Sequence, residues 1–250
     1  MKTVLITGAS GGFGYEFAKQ LEQDGYALLL HGRDAVRLQL TLDALQYPER
    51  HSIVLADLSS RKATEDLIAS LSNQENLYGL VNNAGFGVWG AFADKEGVAQ
   101  ADVIRVDLLA PVMLAHALLP RLKKQHGFMI NVSSLAAETP LPYLATYAAV
   151  KAGMTFWSEA VRMENEQDLR VVTLAPGPSP TGFRDVSGAP KGKGSLFSTP
   201  ALKVVEAGLQ TLRMGGGYCV PGIRHRLLWL IQCCTPRVLA LTMMAKYLKK

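Results

Sequence analysis

The sequence predicts an α/β fold, a doubly wound parallel sheet with helices on both faces, in a single domain that ends in two C-terminal amphipathic helices. Three observations carry that prediction. Short apolar runs alternate with helix-length segments along the chain, the pattern of a parallel sheet covered on both faces. A Gly-rich turn joins the first apolar run to the first helical stretch. The chain has 250 residues, 48% hydrophobic and 19% charged, which suits one compact core.

Lys2 to Thr7 reads as a buried strand, and Phe13, Phe17 and Leu21 fall at helical spacing in a helix from about Gly12 to Gln23. Tyr26 to His31, Ser52 to Ala56, Tyr78 to Asn82, Phe128 to Val132 and Val171 to Ala175 are the further strands. The stretch from Pro176 to Pro200, rich in Gly, Pro, Ser and Lys, is too long for an ordinary connection and is either a mobile substrate lid or a disordered insert. We place the domain at 1–222 and a basic amphipathic extension at 223–250. In the extension Leu227, Leu230, Ile231 and Cys234 keep one helical face, Thr235-Pro236 marks a new helix start, and Val238, Leu241, Ala245 and Leu248 continue the pattern.

Charge and cysteine usage narrow the function classes. The net charge is +5, but no acidic residue follows Glu206, whereas Arg213, Arg224, Arg226, Arg237, Lys246, Lys249 and Lys250 all do. The rest of the chain sets 19 basic against 21 acidic residues, so the basic character belongs to the tail and nucleic-acid binding is not expected. Cys219, Cys233 and Cys234 have neither zinc spacing nor the even count of a disulfide framework. The N-terminus enters an apolar strand at once, without the features of a signal peptide, so a cytoplasmic protein with reduced thiols is expected.

Thr7-Gly8-Ala9-Ser10-Gly11-Gly12-Phe13-Gly14 lies where backbone N–H groups and a helix dipole hold a diphosphate; otherwise it is a tight strand-to-helix turn. Arg33 follows the end of the second strand, where an arginine suits a 2′-phosphate and a carboxylate suits free ribose hydroxyls. NADP is therefore favoured, although Asp34 stands beside it. Asp57, after the third strand, either accepts from the adenine amino group or caps the helix starting near Ser59. Tyr147 and Lys151 are four residues apart in a helical segment, so a phenol and an ammonium share one face and the fixed positive charge favours ionisation of the phenol.

Five motifs then stand in one order: Thr7-Gly8-x-x-x-Gly12-x-Gly14, Asn82-Asn83-Ala84-Gly85, Asn131-Val132-Ser133-Ser134, Tyr147-x-x-x-Lys151 and Pro176-Gly177-x-x-x-Thr181. Over nearly its whole length the chain resembles the short-chain dehydrogenases/reductases, NAD(P)-dependent enzymes built on a Rossmann-type sheet. The resemblance implies that Tyr147 exchanges the proton with a substrate carbonyl or alcohol, Lys151 lowers its pKa and binds the nicotinamide ribose, and Ser134 orients the substrate oxygen. Ser133 is implied to be structural. It assigns the cofactor to Gly8, Ser10, Gly12, Phe13, Gly14, Arg33, Asp57, Leu58, Asn83, Ala84, Gly85, Tyr147, Lys151, Pro176, Gly177 and Thr181, with no metal. A homo-oligomer, dimer or tetramer, is also implied. One position departs: Asp107 stands where the family usually has an Asn whose backbone carbonyl serves a water relay to the lysine, and a carboxylate adds charge there.

Phe86, Val88, Trp89, Phe92, Leu135, Pro140, Leu141, Tyr143 and Phe183 are expected to converge on an apolar cleft, and no arginine cluster awaits a polyanionic substrate. Neither apolar run of the tail reaches the roughly 20 residues of a bilayer span. Ringed only by Arg and Lys, the tail either lies on an anionic membrane, at its inner face, or packs against the body or a second subunit. The resulting expectation is an NADP-dependent oxidoreductase acting on a carbonyl or secondary alcohol of an apolar or lipid-like molecule. The alternatives are a nucleotide-binding regulatory protein with little catalysis, or a non-redox, epimerase-type use of the same site.

Overall fold

The structure, a computed structural model, describes residues 1–190 and 198–248. Seven parallel strands form one sheet in the order β3-β2-β1-β4-β5-β6-β7. These are β1 (Thr3–Thr7), β2 (Ala27–Gly32), β3 (Ser52–Leu55), β4 (Leu77–Asn82), β5 (Phe128–Val132), β6 (Arg170–Leu174) and β7 (Gly217–Cys219). Six are the strands expected from the sequence, with ends moved by a residue. The seventh is not among them, because three residues at the end of a glycine run carry no readable periodicity.

Chain order reverses beside β1, which pairs with β2 on one side and β4 on the other, so the loops leaving β1 and β4 flank a crevice at the carboxyl edge of the sheet. One face of the sheet, with Val4, Ile6, Leu28, Leu30, Val81 and Ile130, packs on α1 (Gly12–Gln23) and, later in the chain, on Val204, Val205, Leu209 and Leu212 of the helix Ala201–Arg213. The opposite face, with Leu5, Leu29, Leu80, Met129 and Val171, packs on further helices. Alternation along each strand therefore splits between two covered faces, which is why the strands read as continuous apolar runs.

The remaining helices are α2 (Ala35–Asp43), α3 (Arg61–Leu71), α4 (Gly97–Ile104), α5 (Ala110–Lys124), α6 (Ala145–Glu164), α7 (Phe183–Ser187), α8 (Ala201–Arg213), α9 (Ile223–Cys234) and α10 (Arg237–Leu248). A π-helical turn over Arg105–Leu109 joins α4 to α5. The continuous helix Gly97–Lys124 has the length and apolar composition of a membrane span. Burial of Val103, Ala110, Leu114, Leu118 and Leu122 places its inner face in the core instead. The expected helices of the tail are present as α9 and α10. Part of the expected 176–200 lid, residues 191–197, lies outside the described residues.

Candidate active site

The crevice beside β1 is built by short-range chemistry. Thr7 Oγ1 donates to Val81 O at 3.2 Å and accepts from the N–H groups of Asn83 and Ala84 at 2.9 and 3.0 Å. The Asn83 amide donates back to Thr7 O and Gly8 O at 2.9 and 3.1 Å. Asn83 thus ties the end of β4 to the Gly-rich turn with its side chain, leaving Ala84 and Gly85 as the backbone that borders the crevice. Gly14 packs so tightly on the Gly8 carbonyl that a Cβ there would collide with it. Gly12 has φ +38° and lies under Thr181, whose Cβ would be 2.5 Å from an added Cβ, so the Pro176–Thr181 loop sits against the turn. No side chain caps α1, whose N-cap is Gly11, and the dipole end of the helix faces the crevice unneutralised.

At the far end of the crevice Asp34, which qualified the reading of Arg33, and Asp57, read as an adenine contact or a cap, both have partners within the fold. Asp34 is the N-cap of α2, accepting from Arg37 N at 3.0 Å. Asp57 Oδ1 accepts from Ser59 N and Ser59 Oγ at 3.0 and 2.9 Å, and the N-cap of α3 is Ser60, so Asp57 shapes the turn ahead of the cap. These Ser59 bonds hold Asp57 below its ordinary pKa, helped by the Arg33 charge. A second guanidinium, Arg37, donates to Ser10 O at 3.2 Å and lies beside Gly11. Sequence reasoning misses Arg37; its signal is the four-residue spacing from Arg33 across a helix start.

The chemistry-bearing side chains meet at the carboxyl ends of β4 and β5. Ser134 Oγ accepts from Ala136 N at 3.1 Å and stands near enough to the Tyr147 phenol to favour its ionised form. Ser133 turns away: its hydroxyl donates to Lys151 O at 3.0 Å and lies 2.6 Å from Thr155 Oγ1. Lys151, on the same face of α6 as Tyr147, holds its Nζ 5.7 Å from the centre of the phenol ring and donates to Val132 O at 3.0 Å. Phe183 stands 5.0 Å from that ring, centre to centre.

Asp107 changes the electrostatics of this cluster. It is fully buried on the π-helical turn, with Oδ1 accepting from Phe86 N at 2.9 Å and Oδ2 3.2 Å from Lys151 Nζ. Burial pushes the Asp107 carboxyl up, against the pull of Lys151. Burial lowers the Lys151 pKa, but Asp107 and Tyr147 together outweigh it and hold the ammonium above its ordinary value. Those two directions oppose each other, since Lys151 is raised only if Asp107 is ionised. We favour the charged pair, because Oδ1 accepts from Phe86 N and Oδ2 lies within ion-pair distance of the ammonium, although not aligned with it as a hydrogen bond. Burial raises the Tyr147 pKa, Lys151 pulls it back and Asp107 pushes it up again. Lys151 acts on the phenol in the expected direction, but burial and Asp107 win.

The expected apolar cleft divides. Phe183 packs on Tyr147, and Trp89 stacks on Tyr143 with ring centres 5.9 Å apart. Leu135 is buried with Val220 and Trp229, and Phe92 faces solvent. Pro140 and Leu141 line a separate, largely apolar cavity of about 1400 Å³ between α6, α9 and α10, with Trp229, Cys233 and Leu241 on its far wall. That cavity borders the opposite side of α6, with Ala145, Ala148, Ala149 and Ala152, and touches none of Ser134, Tyr147 or Lys151. The imidazole of His225, on α9, packs on Gly177, where a Cβ would lie 2.5 Å from Nε2, so the tail buttresses the Pro176–Thr181 loop.

Known proteins resemble this chain in sequence and in fold. The family model described as short chain dehydrogenase matches residues 2–191. Serine 3-dehydrogenase of Agrobacterium fabrum is 32% identical over 186 residues, 72% of this chain and 73% of that one. Estradiol 17-beta-dehydrogenase 2 of Mus musculus is 30% identical over 195 residues, 74% of this chain but 51% of the relative, so the match spans about half of that protein. A short-chain dehydrogenase from Sphingobium yanoikuyae, solved in complex with NADPH, superposes with a TM-score of 0.83 at 25% identity, covering 92% of this chain and 91% of that one.

Proposed function

This chain belongs to the short chain dehydrogenase family, and we propose that it is an NADP-dependent oxidoreductase that interconverts a carbonyl and a secondary alcohol on an apolar small molecule. The observation that carries the reading is the convergence of Ser134, Tyr147 and Lys151 beside a Gly-rich turn whose helix start is left uncapped. The crevice fits a dinucleotide. Gly8, Gly12, Phe13 and Gly14 receive the diphosphate on backbone N–H groups. Arg33 and Arg37, with Ser10, receive the 2′-phosphate, since Asp34 is committed to capping α2. Asp57 and Leu58 border the adenine, and Ala84, Gly85, Pro176, Gly177 and Thr181 border the nicotinamide end.

When bound, the cofactor supplies or accepts the hydride. The protein's part is proton management. In reduction Tyr147 donates its phenolic proton to the substrate oxygen as charge develops there, and Ser134 holds that oxygen with a second hydrogen bond. Lys151 stabilises the phenolate left behind. In oxidation the phenolate takes the alcohol proton. The working direction is reduction, since an NADP site and a phenol kept protonated by burial both suit a proton donor.

Calorimetric titration with NADPH and with NADH, followed by a screen of apolar ketones, tests the assignment. Tighter binding of NADPH with ketone-dependent NADPH oxidation is expected; binding of neither nucleotide would sink it. A second reading, a nucleotide-binding regulator with little turnover, draws on the buried Asp107–Lys151 pair, which diverts the lysine charge from the phenol. Tight NADPH binding without turnover of any carbonyl would favour it.

A further inference from the structure

The tail presents its apolar face outward. Residues at 225, 229 and 232 of α9 turn towards the body, so a histidine, a tryptophan and a glutamine make the inner face. Ile223, Leu227, Leu230 and Ile231 form the stripe on the other side and are 80%, 61%, 51% and 54% exposed. The helix is thus inverted relative to a surface helix of a soluble domain, whose apolar stripe faces the core. On α10, Val238, Leu239 and Met243 are exposed as well, while Leu241 turns to the cavity. These side chains form an apolar surface far larger than scattered single residues.

Charge decides what covers it. Arg224 and Lys246 accompany the stripe, Arg226 and Arg237 line the cavity beneath it, with Arg226 Nε donating to Val220 O at 3.0 Å, and Lys249 and Lys250 follow in the sequence, with no acidic residue after Glu206. A second copy docking through the same face would bring cations against cations. The carboxylates that line the cavity beneath these helices are engaged elsewhere: Glu138 accepts from the Tyr218 hydroxyl at 2.6 Å, and Glu159 accepts from Thr173 and pairs with Arg162. An apolar stripe flanked only by cations fits a bilayer whose headgroups are anionic.

We propose that α9 and α10 form a peripheral docking surface for an anionic membrane, lying in the headgroup plane with Ile223, Leu227, Leu230, Ile231 and Val238 inserted and Arg224 and Lys246 on the phosphates. Because His225 of α9 supports Gly177, docking places the Pro176–Thr181 loop near the lipid surface. Docking of this kind does not depend on the catalytic reading.

The test is co-sedimentation of the full chain with vesicles of phosphatidylcholine alone and of phosphatidylcholine with phosphatidylglycerol, beside light scattering of the protein without lipid. Binding to the anionic vesicles is expected to exceed binding to the neutral ones and to fall at high salt. Each basic residue removed, as in Arg224→Gln or Lys246→Gln, is expected to weaken it about fivefold. Leu227→Glu with Ile231→Glu is expected to abolish it while NADPH binding and the far-ultraviolet dichroism stay unchanged, because both side chains are exposed. Equal partition onto neutral and anionic vesicles would overturn the proposal. So would absence of vesicle binding, or a dimer that the double variant dissociates, which would assign the face to a second copy.

Discussion

Replacing Asp107 by Asn removes one buried negative charge from the reacting cluster with almost no change of shape. In the amide that results the carbonyl oxygen still accepts from Phe86 N, its NH2 group replaces the oxygen beside the Lys151 ammonium, and Lys151 keeps Val132 O and loses its counter-ion. Asp107 Oδ2 is 3.2 Å from Lys151 Nζ, which is 5.7 Å from the Tyr147 ring centre. The carboxylate is then no more than about 9 Å from the ring centre and about 12 Å from the phenol oxygen, where a unit charge is worth about 1.4 kcal/mol at an effective dielectric of roughly 20. Removing it lets Lys151 favour the phenolate. The ascending limb of the pH–rate profile in the oxidation direction, where the phenol loses its proton, is expected to move towards acid by about one pH unit, and in reduction the high-pH loss of rate moves the same way. Steady-state kcat profiles of Asp107→Asn and the unaltered chain, with NADP and a secondary alcohol, read this directly. A limb that stays in place, or moves towards alkali, would refute the electrostatic role given to Asp107. Stability falls as well, since Lys151 stays buried; a loss of roughly 3–5 kcal/mol in urea unfolding is the upper range for breaking a buried pair.

Three further outcomes follow from particular side chains. His31 is buried on β2, neither ring nitrogen has a well-formed hydrogen bond, the backbone at Ala56 only partly offsets burial, and its pKa is lowered to about 4. A depressed histidine contributes stability that is complete above its unfolded pKa and is lost as pH falls through the folded one. Urea midpoints are therefore expected to drop between about pH 6.5 and 4, by about 3 kcal/mol, and the drop should flatten in His31→Leu; an unchanged slope in that variant would exclude His31 as the source. Arg33→Ala and Arg37→Ala should each weaken NADPH binding about 10- to 100-fold in calorimetry and leave NADH binding nearly unchanged, because only the 2′-phosphate contact is lost. Parallel losses for both nucleotides would place these guanidiniums elsewhere. Ser134→Ala should lower kcat about 100-fold with little effect on unfolding, whereas Ser133→Ala should cost about 1 kcal/mol of stability, because its hydroxyl is used within the fold. The opposite pattern would exchange their roles.

Most of the fold was legible because parallel strands buried on both faces leave continuous apolar runs, as at Val4 to Ile6 and Phe128 to Val132. The strand Gly217–Cys219 was not, since pairing with β6 rather than local pattern makes it a strand. Periodicity showed that Leu227, Leu230 and Ile231 share a face but not that the face points outward, because spacing fixes neighbours and not direction. Ser134, Tyr147 and Lys151 could be named from motif spacing, yet the contact of Lys151 with Asp107 joins residues 44 positions apart and rests on a π-helical turn that leaves no sequence signature. Asp34 could not be separated from a ribose ligand until its bond to Arg37 N was seen. Pro140 and Leu141, grouped with the cleft by proximity to a motif, belong to a cavity on the other side of α6.

The central claim is that Tyr147 passes the proton while bound NADPH passes the hydride to a carbonyl. Single-turnover transfer from NADPH deuterated at the reactive nicotinamide carbon, to an apolar ketone, compares the unaltered chain with Tyr147→Phe. Deuterium is expected in the alcohol formed by the unaltered chain, and none from Tyr147→Phe although that variant binds NADPH with similar affinity. Undiminished transfer by Tyr147→Phe would contradict the account.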